Sequence, residues 1–231
     1  MGKLFLVATP IGNLQDITLR ALDTLRNVDL IAAEDTRQTL KLLNHFNIKK
    51  PLISCHKYNE NEKSILLIHK LKDGKDIALV SDAGTPGISD PGSIMVKNCI
   101  EHGIEFEIMP GATAVTTALV YSGLDTSKFT FMGFLPRENK NRRDVLESIK
   151  NRMETLIFYE APHRLTNTLE ALANVLGNRH IAICRELTKV HEEILRFTLE
   201  EAMNYYESND AKGEFVLVVE GKDEKELLRE E

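Results

Sequence analysis

Cysteine is scarce: Cys55, Cys99 and Cys184 stand far apart and make no C-x-x-C pair. That excludes a disulfide framework and a structural zinc site, and it points to a reducing compartment. No stretch approaches the roughly 20 consecutive apolar residues that a membrane span needs. With the strand-like run 4–7 directly behind Met1-Gly2-Lys3, the expectation is an untargeted, cytoplasmic protein without a membrane partner. Positive charge is also short, the net being -6, so nothing in the whole-chain balance attracts nucleic acid and any such contact must be local. Fixed-period repeats and low-complexity tracts are absent, which removes solenoid and collagen-like folds. His191-Glu192-Glu193 lacks the second histidine four residues on that a zinc helix needs, so no metal is expected. There is no G-x-S-x-G elbow of a hydrolase.

What is present suits an ordered core, with 42% apolar residues in 231. Short β-rich runs at 4–7, 30–33, 52–55, 77–81 and 105–109 alternate with helical patterns at 18–27, 38–46, 62–71, 92–102 and 112–122. Such alternation implies crossover connections, a mostly parallel sheet and helices on both of its faces. The turn-rich Gly123-Leu124-Asp125-Thr126-Ser127-Lys128 then marks a boundary. A second α/β pattern follows: strands at 129–134, 155–159, 181–185, 195–198 and 215–220, with helices at 142–153, 165–176 and 199–206. The fold class expected is α/β, with an N-terminal domain over 1–122 and a smaller C-terminal domain with a mixed sheet over 129–222. The mixed-charge tail from Gly221 to Glu231 reads as a solvated terminus.

The densest turn chemistry is Ser81-Asp82-Ala83-Gly84-Thr85-Pro86-Gly87-Ile88-Ser89-Asp90-Pro91-Gly92, directly behind a strand. It is either a long structural connection or a ligand edge, since ligands of open parallel sheets sit beyond the carboxyl ends of the strands. Neither G-x-x-x-x-G-K-[ST] nor G-x-G-x-x-G occurs, and Asp82 and Asp90 would repel phosphate. A ligand with a positive centre and no phosphate matches better. Two more small-residue turns, Ala8-Thr9-Pro10-Ile11-Gly12-Asn13 and Pro110-Gly111-Ala112-Thr113-Ala114, follow strands at the same edge. Each alone is ordinary punctuation, and three together are a better signal.

These turns, with Ala33-Glu34-Asp35-Thr36-Arg37, Gly133-Phe134-Leu135-Pro136-Arg137, Phe158-Tyr159-Glu160-Ala161-Pro162-His163-Arg164, Arg185-Glu186-Leu187-Thr188-Lys189 and Gly213-Glu214-Phe215-Val216-Leu217-Val218, resemble the tetrapyrrole-methylase superfamily over residues 4–220. Within it the chain is most similar to the cytidine 2′-O-methyltransferases of small-subunit ribosomal RNA. The resemblance implies S-adenosylmethionine as cofactor, folded up in a cleft between the two domains, and a homodimer. It also implies a decoding-centre cytidine as target, in an assembled or nearly assembled small subunit. Carried onto this chain, the cofactor site would use Pro10, Val80, Ser81, Asp82, Thr85, Thr113, Ala114, Glu160 and Ala161. Tetrapyrrole enzymes of the family show glycines where this chain has Val80 and Ser81, which disfavours a tetrapyrrole substrate.

A ribose hydroxyl is a poor nucleophile while protonated, so a general base is expected, with Glu160, His163, Glu186 and Lys189 as candidates. Arg137 to Arg152 holds six basic against three acidic residues, either a solvated helix face or an RNA contact. The RNA-binding residues expected are Arg37, Arg137, Arg142, Arg143, Arg164 and Arg185, with Lys189 an alternative phosphate ligand. A methyltransferase of the same fold acting on a tetrapyrrole or protein side chain stays open as an alternative. A noncatalytic RNA-binding protein would be expected to lose Gly84, Gly87, Ala112 and Ala114, which this chain keeps.

Overall fold

The structure, a computed structural model, describes residues 1–223; the rest of the expected solvated tail lies outside the described residues. The chain divides into two compact units, Met1–Thr113 and Ala114 onward.

The first unit is a five-stranded sheet of β1 (Leu4–Val7), β2 (Leu30–Ala33), β3 (Leu52–Ser54), β4 (Ile77–Val80) and β5 (Phe106–Met109), in the order β3-β2-β4-β1-β5. Every pairing is parallel. Strands buried on both faces carry apolar residues at nearly every position, and alternate residues serve different cores. Leu4, Leu6, Ile77 and Leu79 pack with α3 (Glu60–Lys72) and α4 (Ser93–Glu101). Val7, Ile31, Ala33, Ala78 and Val80 pack on the other face with α1 (Leu19–Asn27) and α2 (Thr36–His45). Both latter helices start on side-chain caps: Thr18 accepts from the amide of Ala21, and Asp35 from that of Arg37.

The second unit holds α5 (Ala114–Ser122), β6 (Phe129–Phe134), α6 (Asn139–Ile149), β7 (Thr155–Glu160), α7 (Leu165–Leu176), β8 (His180–Arg185), β9 (Glu193–Thr198), α8 (Leu199–Ser208) and β10 (Phe215–Val219). Its sheet runs β6-β7-β10-β8-β9, parallel between β6 and β7 and antiparallel elsewhere. Leu156, Phe158, Ile181, Ile183, Phe215, Leu217 and Val219 share a core with α6, α7 and α8. The alternate residues face the other way, where α5 packs on β8 and β10 and Cys184 Sγ lies 3.9 Å from the Ala118 carbonyl oxygen.

The expected domain limits, 1–122 and 129–222, differ by that helix. Its apolar residues Val115, Ala118 and Leu119 are buried, and their partners are the strands that follow it in sequence. Helix α6 also departs from the expected 142–153. It begins earlier, with Arg142 N bonded to the Glu138 carbonyl, and stops at Ile149, leaving Met153 exposed.

Candidate active site

In the first unit β1 and β2 feed helices on one face of the sheet, and β3 and β4 feed helices on the other. The helix behind β4 therefore packs on the opposite face from those behind its neighbours β1 and β2, and it is at the carboxyl edge of such a switch that ligands of open parallel sheets sit. The turns expected to bind cofactor lie at this edge. Thr9 and Gly84 exchange backbone hydrogen bonds of 2.9 and 3.0 Å, and Thr9 Oγ1 donates to the Ser81 carbonyl at 3.2 Å, tying the β1 turn to the β4 loop. Gly84 has φ +74°, which suits glycine, and a Cβ on Gly111 would lie 2.8 Å from that of Ala8. Pro10, Val80 and Ser81 are buried, Thr85, Thr113 and Ala114 half-buried, and Asp82 exposed. Asp82 Oδ1 accepts the amide of Asp35 at 2.9 Å, and the Asp82 amide donates to Glu34 Oε2 at 3.3 Å. The loops behind β2 and β4 are thus stitched together by side chains.

Sequence reasoning gave no role to two carboxylates here. Buried Glu60 Oε1 accepts the Gly92 amide at 2.8 Å and anchors the far end of the β4 loop. Glu34 is half-buried, and burial raises its carboxyl above the ordinary range, with the charges of Asp82 and Asp35 adding to the effect against the hydrogen bond from the Asp82 amide. Its neighbour Asp35 goes the other way, down to about 2, because the Arg37 guanidinium and amide bond to it. Glu34 stood within a block quoted for the family resemblance, but nothing in its spacing foretold that burial. Arg37 is exposed and grips Asp35 at 2.6 Å.

In the second unit, Glu160 ends β7 with its side chain fully buried. Oε2 accepts from Thr168 Oγ1 at 2.6 Å, Oε1 accepts from the Ala161 amide at 2.8 Å, and Arg164 Nε lies 3.3 Å from Oε1. Both oxygens of Glu160, a candidate base, are engaged within the unit, and so is the Ala161 amide. Arg164, expected to touch RNA, turns inward: its side chain is 14% exposed and Nη2 donates to the Leu135 carbonyl at 2.6 Å. The spacing Glu160-x-x-x-Arg164 carries that pair, and sequence alone could not tell an inward from an outward arginine.

Glu186, another candidate base, is engaged as well. Its Oε1 accepts from Lys189 Nζ at 2.9 Å and from the Glu214 amide at 2.8 Å. Burial pushes its carboxyl up, but those two donors prevail and hold it below the ordinary range. Lys189 is shifted up: burial works against its charge, and Glu214 and Glu186 outweigh burial. An ammonium so held is no base. Arg185 lies 3.1 Å from Glu193 across β8 and β9. His163 is exposed in the single turn Pro162–Arg164. On α6, Arg142 donates to Asn139 Oδ1 at 2.9 Å and Arg143 faces Glu147 at 3.8 Å, while Arg137 before the helix is exposed.

Residues 3–203 match the family described as Tetrapyrrole (Corrin/Porphyrin) Methylases. The protein named ribosomal RNA small subunit methyltransferase I from Halalkalibacterium halodurans is 57% identical over 97% of this chain and 78% of its own length. The one of the same name from Thermotoga maritima is 49% identical over 96% of this chain and 100% of its own. Among solved structures, uroporphyrin-III C-methyl transferase from Thermus thermophilus, complexed with S-adenyl homocysteine, is similar in fold with a TM-score of 0.66. It is 18% identical, with 96% of this chain and 98% of that one covered.

Proposed function

Because the chain belongs to the tetrapyrrole methylase family, in the branch of the ribosomal RNA small subunit methyltransferase I proteins, we propose that it methylates the ribose 2′-oxygen of a decoding-centre cytidine in small-subunit ribosomal RNA, using S-adenosylmethionine. The observation that carries this reading is the sustained identity to proteins of that name through both units. The site's chemistry agrees with the cofactor. The turns behind β1, β4 and β5 are small and glycine-bearing and have no phosphate loop, and the carboxylates of Glu34 behind β2 and Asp82 behind β4 suit a cation.

Pro10, Ser81, Asp82, Thr85 and Thr113 would hold S-adenosylmethionine, which when bound supplies an electrophilic methyl group. The chain's own task is to align a hydroxyl and exclude water, since an in-line displacement gains most from positioning. For the hydroxyl to accept a methyl group its proton must leave, so the chain must also provide a group that takes it. Of the four expected bases, His163 alone is exposed and outside a hydrogen-bonded carboxylate network, so it is the group assigned to take that proton. Arg137, Arg142 and Arg143 are assigned to RNA phosphates, and the enzyme to a homodimer in the compartment of the ribosomes.

The test is transfer of label from methyl-tritiated cofactor to small subunits. A 2′-O-methylated ribose cannot attack its neighbouring phosphate, so the label should survive alkaline hydrolysis in an intact dinucleotide. Deoxyribose at the target should abolish acceptance. Label released in a mononucleotide would place the methyl on a base. Label found only in a tetrapyrrole or a protein would overturn the RNA reading.

A further inference from the structure

Strand β6 forms one edge of the second sheet and holds three of the chain's nine phenylalanines, Phe129, Phe131 and Phe134. Alternation along a strand puts Phe129 and Phe131 on one face, with Ile157 and Tyr159 of β7, and would send Phe134, three residues on, to the other. It does not go there. The register against β7 shifts between Phe131 and Gly133, so that Met132 packs on the core shared with α6, α7 and α8, Gly133 stands opposite Phe158, and Phe134 stands opposite Tyr159. At the shift Gly133 takes φ +63°, a conformation that glycine enters freely. Bulges of this kind re-aim side chains, and this one gathers three phenylalanines and Tyr159 on one face.

Tyr159 lies 4.9 Å from Phe131 and 5.6 Å from Phe134, centroid to centroid, at interplanar angles of 67° and 63°. Such an edge-to-face contact takes at most one face of the Phe134 ring, and Phe134 is 51% exposed. Phe129 is 43% exposed. On this side of the sheet α5 packs on β8 and β10, away from the β6 edge. A bulge that turns a phenylalanine out of the core and towards solvent forgoes burial and leaves an aromatic platform.

The platform has basic surroundings. Lys128 before β6 and Arg137 after it are both exposed, and Lys140, Arg142 and Arg143 follow in the first turns of α6. Two neighbouring carboxylates have partners of their own: Glu154 accepts from Arg152 and Thr130, and Glu138 from Asn141. Aromatic rings interleaved with cations suit the faces of bases and the phosphates between them.

We propose that Phe134, with Phe129 farther along the same strand, stacks unpaired bases of the RNA substrate while the basic residues hold their phosphates. The inference rests on the ribosomal RNA reading above. Every base has a π face, so such a platform selects single-stranded RNA over duplex and not one sequence over another. A second copy of the chain on this face would need apolar area only, and it is the alternative that the experiment separates.

Phe134→Leu keeps an apolar side chain and removes the ring. It should weaken binding of a single-stranded fragment of small-subunit RNA about five- to hundredfold, the loss for one base stacked on an aromatic ring. The salt slope should not change, since no phosphate contact is lost, and cofactor affinity should stay at the parental value. The same fragment annealed to its complement should bind parent and variant alike. Phe134→Trp should keep the parental affinity for the single strand. The chain has no tryptophan of its own, so the single indole of that variant reports on the platform directly, and its fluorescence should be quenched by the single strand and not by the duplex. Parental affinity in Phe134→Leu, or an indole that the single strand leaves unquenched, overturns the proposal. A fall in molecular mass of Phe134→Leu from dimer to monomer would make this face a contact between copies of the chain and overturns it as well. Absence of methyl transfer to small subunits by the parent, with the single strand still quenching the indole, would instead count against the proposed function.

Discussion

Glu160 and Arg164 show how a residue's neighbours decide its role. A carboxyl group with no exposed surface, bonded to Thr168 and Ala161 and facing a guanidinium, is fixed in place by its donors. Replacing Glu160 with Gln leaves a mostly buried guanidinium without its counter-charge and should cost about 3 kcal/mol of stability, read from the urea midpoint at neutral pH. If Glu160 were instead the proton acceptor, the variant would lose methyl transfer at an unchanged midpoint. These residues were visible in the sequence as a block, and the direction in which they point was not, because Thr168 and Leu135 reach them through folding. The same holds for Glu34 and Glu60, whose burial depends on strands distant in the chain.

The secondary-structure elements were far easier to read. In β1 and β4 every residue is apolar, and strand 129–134 and helix 165–176 lie where periodicity placed them. Errors arose where apolar spacing ran past the real end of an element. Met153 continues the helical pattern of Val145, Leu146 and Ile149, yet the helix stops because Arg152 N turns back to the Ile149 carbonyl. Turns depend on backbone geometry as well. Gly213 has φ +89°, and a Cβ there would come within 2.5 Å of Glu186 Cγ. Gly213→Ala should therefore both strain the backbone and push Glu186 off Lys189 and the Glu214 amide. The expected loss is about 2 kcal/mol, seen as a lower Tm, and an unchanged Tm would show that the turn has room to relax.

Across the whole molecule, acidic and basic groups are unevenly placed: a chain of net charge -6 keeps six basic residues from Arg137 to Arg152. Replacing Arg142 and Arg143 together with Ala should flatten the log-log salt dependence of RNA binding by about 1.4 to 1.8, the value for two lost phosphate contacts. An unchanged slope would make that stretch a solvated face only. Cofactor affinity, measured by calorimetry, should stay at the parental value. The strand order has its own consequence, and it falls on synthesis. Leu4 pairs with Ile77 on one side and with Phe106 on the other, so β1 has neither neighbour when it leaves the ribosome. At roughly 5 to 20 residues per second, β1 waits on the order of 5 to 20 seconds for β5. Until β4 is made, Leu4-Phe5-Leu6-Val7 is an apolar strand with two open edges, and one edge stays open until β5 follows. The nascent chain thus depends on shielding of Leu4–Val7 until β5 has been translated.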